Sequence, residues 1–314
     1  MGTRPRKKLK IDSKNKSYPV QDSPFYKLSS KKQLADLLHT DLGTLKSYRC
    51  EIGYRVFTVR TGVKDREIQQ PIGNLDLIHT RCASLMARLE APEYLHSGRK
   101  ARTHISNAAV HTGYVPVLTV DIKSFFPKTS RKQVFKFFAN RMKMAPDVAK
   151  LLSEVLTFRE HVPTGSRLSM ILAFWAAHDM FDELYRLSLA RSIRMTVYVD
   201  DLTFSGVGVN RLFLKMVTDV VRSYGYELHP GKTAFYDSKA VKLVTGVAIS
   251  GHNLMVGNSK HKDIYQDLVQ WLLLKDRGLD IPSLKSRLLG RLNAQGQIDF
   301  RLKDKARSIR KETI

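Results

Sequence analysis

Residues 194–206 read RMTVYVDDLTFSG. Thr196, Val197, Tyr198, Val199, Thr203 and Phe204 favour extended strand, yet Asp200 and Asp201 stand side by side in their midst. The pattern predicts two short strands joined by a tight turn at Val199–Asp201, since Asp tolerates turn geometry. A plain turn is enough to explain an Asp-Asp pair in isolation. The rest of the chain supplies a third acid. Residues 116–122, PVLTVDI, read as a nearly continuous apolar strand that ends on Asp121, where burying an unpaired charge is costly. Helical sequence lies between the two stretches, so their strands can sit side by side. Three carboxylates converging at adjacent strand ends repel one another unless cations neutralise them. Hard oxygen ligands select Mg²⁺ or Mn²⁺ over zinc. Two such ions can stabilise both the attacking and the leaving oxygen of an in-line phosphoryl displacement.

Composition points the same way. The chain has 314 residues, 43% hydrophobic and 9% aromatic, enough for a folded protein with a sizeable core. Its net charge of +24 comes from 53 Lys+Arg against 29 Asp+Glu. Such an excess repels itself and calls for a polyanion, with nucleic acid the expected partner. An acidic membrane surface fits less well, because no basic amphipathic helix carries Trp or Leu anchors. With no apolar run of about 18 residues and no apolar leader segment, a cytoplasmic protein without a membrane contact is expected. Cys50 and Cys82 show no CxxC or zinc spacing and read as reduced thiols. The ten histidines form no HExxH or other dense ligand set.

Along the chain, residues 1–22 form a basic arm, either a solvated tail or a grip on a phosphate backbone. Residues 54–60 and 66–70 bracket the turn TGVKD as a hairpin with Lys64 and Arg66 near its tip. Asn74 is the expected cap of a helix whose buried face holds Leu75, Ile78, Cys82, Leu85, Met86 and Leu89. Ser130 and Gln133 form a capping box. One long helix is expected from about Arg167 to Ala190, apolar on most faces. Asn210 caps another that ends at Gly225. After the turn HPGKT (229–233) comes a strand pair near 234–249, then helices at about 260–275 and 282–293. The order β, α, α, β-hairpin, α, β predicts an α+β fold with a ferredoxin-like, antiparallel sheet carrying helices on one face.

The stretches TVDIKSFFP (119–127) and YVDD (198–201) resemble the A and C motifs of reverse transcriptases, and the resemblance covers about residues 50–250. It implies a right-hand polymerase. Fingers and a ferredoxin-like palm would occupy 23–255, and a small helical thumb with a basic end 256–314. It implies Asp121, Asp200 and the Ile122 carbonyl as ligands of two Mg²⁺ (or Mn²⁺) ions, with Asp201 a third acidic member. Phe126 falls at the steric-gate position that favours dNTPs; core packing is the other reading of that ring. Lys64 and Arg66 match the fingertip cations that clasp the triphosphate. Lys232 matches a residue that donates a proton to departing pyrophosphate. VPTGSRLS (162–169) takes the B-motif place, where Gly165 would let template or nucleotide come close. Thr164 stands there instead of the family's usual Gln, which leaves the template contacts open.

Two further stretches, SNAAVH (106–111) and KLVTGVAIS (242–250), resemble elements of bacterial retron reverse transcriptases. That resemblance implies an enzyme that binds its own structured non-coding RNA and primes from a guanosine 2′-hydroxyl. It would copy an adjacent template into branched multicopy single-stranded DNA, in an anti-phage system with an effector protein. Its nucleic-acid partners would be that RNA, the RNA–DNA hybrid and the nascent DNA strand. Asn107, His111, Val244, Thr245 and Gly246 are then expected to serve RNA binding. In the thumb, Ile264, Leu268, Trp271 and Leu272 make one helical face, and Lys285, Arg287 and Arg291 are expected to follow phosphates. Trp271 reads as core rather than as a base-stacking platform. Two alternatives stay open. One is a reverse transcriptase of group II intron or diversity-generating ancestry; the other is a non-catalytic RNA-binding protein on a polymerase scaffold.

Overall fold

A computed structural model describes residues 9–48, 52–61, 64–277, 279 and 282–311, with Thr61 and Lys64 described in the backbone alone. Cys50, residues 1–8 of the arm and the Lys64 side chain lie outside the described residues.

Strands β1 (Tyr54–Thr61) and β2 (Lys64–Pro71) form the expected antiparallel hairpin. Next in the chain come β3 (Val117–Asp121), β4 (Arg194–Tyr198), β5 (Asp201–Ser205) and β6 (Ala234–Tyr236). These four make one antiparallel sheet in the order β4-β5-β3-β6. Strands β7 (Lys242–Val244), β8 (Val247–Ser250) and β9 (Asn253–Val256) form a separate three-stranded sheet. The strand pair expected near 234–249 is thus divided. Its first strand completes the four-stranded sheet, and the rest starts the next one.

Alternation sets the two faces of the four-stranded sheet. Leu118, Val120, Met195, Val197, Leu202 and Phe204 all enter the main core. The opposite face collects Thr119, Asp121, Thr196, Tyr198, Asp201, Thr203 and Ser205, with Val117 and, from β6, Ala234 and Tyr236 as its apolar members at one end. Helices cover the apolar face. Among them Arg131–Lys136 carries the Ser130/Gln133 capping box, and Arg211–Ser223 is capped by Asn210. Fold class and topology are as the element order implies.

Three local expectations are corrected. Asn74 is not a cap: the helix Gly73–Met86 starts after Ile72 with no side-chain cap, leaving Asn74 inside its first turn. The single helix over 167–190 is two, Ser169–Ala176 and His178–Leu189, broken at Ala177. The basic C-terminal end contains a third helix, Phe300–Lys311, beyond Asn258–Asp276 and Pro282–Gln295. These last three helices enclose their own small core of Ile264, Trp271, Leu284, Leu288, Leu292, Ala306 and Ile309. Trp271 is core, as expected. Leu272 is not, at 44% exposed.

Candidate active site

The four-stranded register places the acids. Asp121, the last residue of β3, faces Asp201, the first of β5, and Tyr198 closes β4 opposite the same Asp201. Asp200 lies in the turn between β4 and β5, and its carbonyl accepts the Ile122 N–H at 2.9 Å. One oxygen from each of Asp121, Asp200 and Asp201 lies within 4.8 Å of the others. Asp121 is 5% exposed; the other two are half-buried.

The turn is held under strain. Val199 sits at φ 62°, a left-handed conformation that its branched Cβ disfavours. The segment before helix His104–Ala109 steadies it. The Val197 N–H donates to the Tyr94 carbonyl (2.8 Å) and the His96 N–H to the Val197 carbonyl (2.9 Å), extending the sheet past β4. Further along, the Val199 N–H donates to Ser97 Oγ at 2.9 Å. Sequence reading missed Ser97, because no local pattern marks a bond spanning about a hundred residues.

Charge at the turn is out of balance. Burial, then the neighbouring Asp121, raises the Asp200 carboxyl above the ordinary range. Burial, then Asp200 and Asp121, pushes Asp201 up to about 6. Lys232 is the cation in contact, its ammonium donating to Asp121 Oδ2 at 2.5 Å. Its pKa is raised chiefly by that bond. Arg66, exposed on β2, adds a weaker attraction felt at Asp200. Three clustered hard-oxygen donors, two of them reluctant to ionise, match the donor chemistry of a divalent-cation centre. Beside them a groove of about 380 Å³ runs along the polar face, lined in part by Tyr198, Asp201, Lys232, Thr245 and Gly246.

The remaining candidates fall into several places. Phe126 is half-buried, its ring 5.8 Å from that of Phe125 and packed on the main core. Gly165 makes a close approach, but to β2 rather than to an open site. Its N–H donates to the Gln69 carbonyl at 3.1 Å, and a Cβ there would lie 2.8 Å from that oxygen. Thr164 Oγ1 donates to the Glu67 carbonyl (2.9 Å), and its N–H to Gln69 Oε1 (3.0 Å). A glutamine amide does reach this loop, from β2.

The two retron-like elements pack on each other. Asn107 Nδ2 donates to Thr245 Oγ1 at 3.4 Å, and that hydroxyl donates to the His104 carbonyl at 2.9 Å. Asn107, His111 and Val244 are buried, so within this fold their side chains are taken up inside the protein. His111 lies across the far end of the polar face, with Nδ1 2.8 Å from Ser205 Oγ and Nε2 2.7 Å from Thr196 Oγ1. Burial drives its pKa to about 3, which keeps the ring neutral. Thr245 is half-buried, and Gly246 is exposed at the groove. In the C-terminal helices Arg287 and Arg291 bind Asp267, so two of the three cations expected to follow phosphates are already engaged. Lys285 is half-buried.

Comparison with known proteins agrees with this geometry. The profile described as Reverse transcriptase (RNA-dependent DNA polymerase) matches residues 45–249. The chain belongs to the reverse transcriptase family. It is similar to the Retron Se72 reverse transcriptase of Salmonella heidelberg (strain 579083-10), 31% identical over 200 residues that cover 60% of this chain and 52% of that protein. It is also similar to the Retron Ec86 reverse transcriptase of Escherichia coli, 23% identical over 227 residues covering 69% of each. This reverse transcriptase chain thus spans about half the length of the Se72 protein. Among solved structures, apo telomerase from Candida tropicalis truncated from its C-terminal domain aligns at TM-score 0.49 and 10% identity, over 69% of this chain and 60% of that one. Among the described residues no helix is long and apolar enough to cross a membrane.

Proposed function

We propose that the protein is a retron-type RNA-directed DNA polymerase. It binds a cognate structured RNA and copies part of it into branched single-stranded DNA, as one component of an anti-phage system with an effector. The observation that carries the polymerase reading is the convergence of Asp121, Asp200 and Asp201 within 4.8 Å at a strained turn. The retron reading is supported by similarity to retron enzymes and by the mutual packing of the two retron-like elements.

Asp121, Asp200, Asp201 and the Ile122 carbonyl would hold two Mg²⁺ ions. Bound there, the ions supply charge neutralisation at the attacking and leaving oxygens of phosphoryl transfer. The chain's own groups do the rest. Lys232 would hand a proton to a leaving pyrophosphate, a reading supported by the bond that ties its ammonium to Asp121. Arg66, with Lys64 on the same strand, would draw in a triphosphate. The Phe126 ring would exclude a ribose 2′-hydroxyl. The groove beside Tyr198 and Gly246 would receive the primer end. The protein's +24 charge supplies attraction for RNA and hybrid alike.

The test is primer extension in Mg²⁺ on the RNA that copurifies with the protein. The variant Asp200→Asn should lose roughly a thousandfold in dNTP incorporation, several kcal/mol of transition-state stabilisation, while RNA retention survives. Undiminished synthesis would overturn the assignment of the acids. A 2′,5′-branched RNA–DNA product supports the retron reading; an ordinary 3′-primed cDNA supports a reverse transcriptase of another kind.

A further inference from the structure

A second cavity, of about 730 Å³, is lined by Ser97, the residue bonded to the turn at Val199. Its size falls in the range of about 300–1,000 Å³ typical of small-ligand sites. One wall is the described part of the N-terminal arm, Ile11 to Ser17. That wall is built, not draped. The Asp12 N–H donates to Ser84 Oγ (3.0 Å), Lys100 Nζ donates to Asn15 Oδ1 (2.8 Å), and Tyr18 makes two 2.9 Å backbone bonds, one to Arg88 and one to Glu90. The floor is apolar, and its open part is Met170 and half-buried Ile171 from the helix Ser169–Ala176; Phe174, Trp175 and Met86 also line it but are buried. The third side is the loop Leu95–Lys100, which includes Ser97. The cavity is therefore one side chain away from the catalytic turn.

Its rim is cationic and poorly balanced. Lys16, Arg99 and Lys100 stand there against one lining acid, Glu90. Arg167 also lines the cavity, but Asp76 neutralises it. Burial, and then Arg102 close by, lowers the Arg99 pKa. Burial, Arg102 and Arg99 together hold His96 near 4. Cations at the lip of an apolar hollow suit a ligand with a flat apolar body and an anionic link. That is a nucleotide within a single strand, its base on the floor and its phosphate at the rim.

We infer that this cavity, walled by the N-terminal arm, binds one nucleotide of a single-stranded nucleic acid next to the catalytic turn. The inference does not need the polymerase reading, because it concerns binding without metal or dNTP.

The experiment uses the full chain in EDTA with a fluorescein-labelled ten-nucleotide oligo(U), read by anisotropy. Lys16→Glu combined with Lys100→Glu, both exposed, should weaken binding about tenfold and flatten the salt dependence by about two phosphate contacts. Lys215→Glu, an equally exposed cation on the distant helix Arg211–Ser223, should change it less than twofold. Met170→Trp keeps every charge but fills the mouth, where Met170 is 37% exposed, and should weaken binding about fivefold. A 4-thiouridine in the oligonucleotide should crosslink to the 169–176 helix in the wild type and not in Met170→Trp. Oligo(dT) binding as well as oligo(U) supports a site reading base and phosphate alone. A preference for oligo(U) supports one that also reads the ribose. Equal losses from Lys215→Glu and the rim pair would overturn the inference, as would wild-type affinity in Met170→Trp. So would a deca-glutamate peptide bound as tightly as the RNA and equally displaced by Met170→Trp.

Discussion

Among the described residues two places bury carboxylate, and they handle it in opposite ways. Asp267, 4% exposed in the helix Asn258–Asp276, receives two guanidiniums. Arg287 Nε reaches both its oxygens at 3.2 Å and NH2 one of them at 2.9 Å, while Arg291 NH1 donates at 2.8 Å. There the charge is more than balanced. At the acidic turn three carboxylates cluster with one contacting ammonium, that of Lys232 on Asp121. Burial of an acid is thus no sign of function by itself. A deficit of counter-charge is, because folding leaves an electrostatic cost that a ligand can relieve.

The comparison is sharpest in pH. The folded Asp201 carboxyl titrates near 6, above the ordinary 3.8. A carboxyl raised on folding is bound by a proton more tightly in the native state. Its contribution to stability is therefore full below about pH 4 and is lost as pH rises toward 6. The loss is at most about 3 kcal/mol. In EDTA, wild-type protein should become steadily easier to unfold with urea between about pH 4 and 6.5. Asp201→Asn, which cannot ionise, should show a flatter profile and be the more stable protein at about pH 7. Added Mg²⁺ should recover the wild type and do much less for the variant. Parallel pH profiles for the two proteins would break the contrast.

The opposite sign is expected at the balanced site. Asp267→Asn removes the one carboxylate that two arginines share. Arg287 and Arg291 keep 53% and 36% side-chain exposure, so water can take them back. The cost should be about 2 kcal/mol rather than that of a fully stranded charge. Amide exchange of the three C-terminal helices would show it, with the acidic turn unaffected. A neutral or stabilising Asp267→Asn would mean that the two sites do not differ in the way argued.

Both sites also show where sequence stops being informative. The strand-turn-strand at YVDD, the terminal position of Asp121 and the caps at Ser130 and Asn210 were legible because each rests on residues close in the chain. The break at Ala177 was not. MILAFWAAHDMF holds no Gly or Pro to mark it, and Ala177 simply leaves helical geometry at φ −100°, ψ 9°. Helix Phe300–Lys311 hid behind its charge, since only Leu302, Ala306 and Ile309 mark its inner side. The shared bond of Arg287 and Arg291 to Asp267 was not legible because that partner lies twenty or more residues away. His111 was grouped with RNA contacts through resemblance. A local hint existed: Thr196 and Ser205 are hydroxyls at inward strand positions and need a polar partner.

The smallest effect tests how the unbalanced site is held open. Val199 has φ 62°, and a β-branched residue there costs about 1–2 kcal/mol. Ser97 Oγ accepts its N–H at 2.9 Å, and one such bond is worth about 1 kcal/mol. Ser97→Ala should therefore slow incorporation about fivefold and raise the Mg²⁺ concentration needed for half-maximal rate, with global stability little changed. The control is a cycle with Val199→Gly, since glycine takes positive φ without the Cβ penalty. If Ser97 works by holding a strained turn, its loss in the Val199→Gly background should cost less than twofold. An equal cost in both backgrounds would assign Ser97 to the cavity it lines and not to the turn it touches.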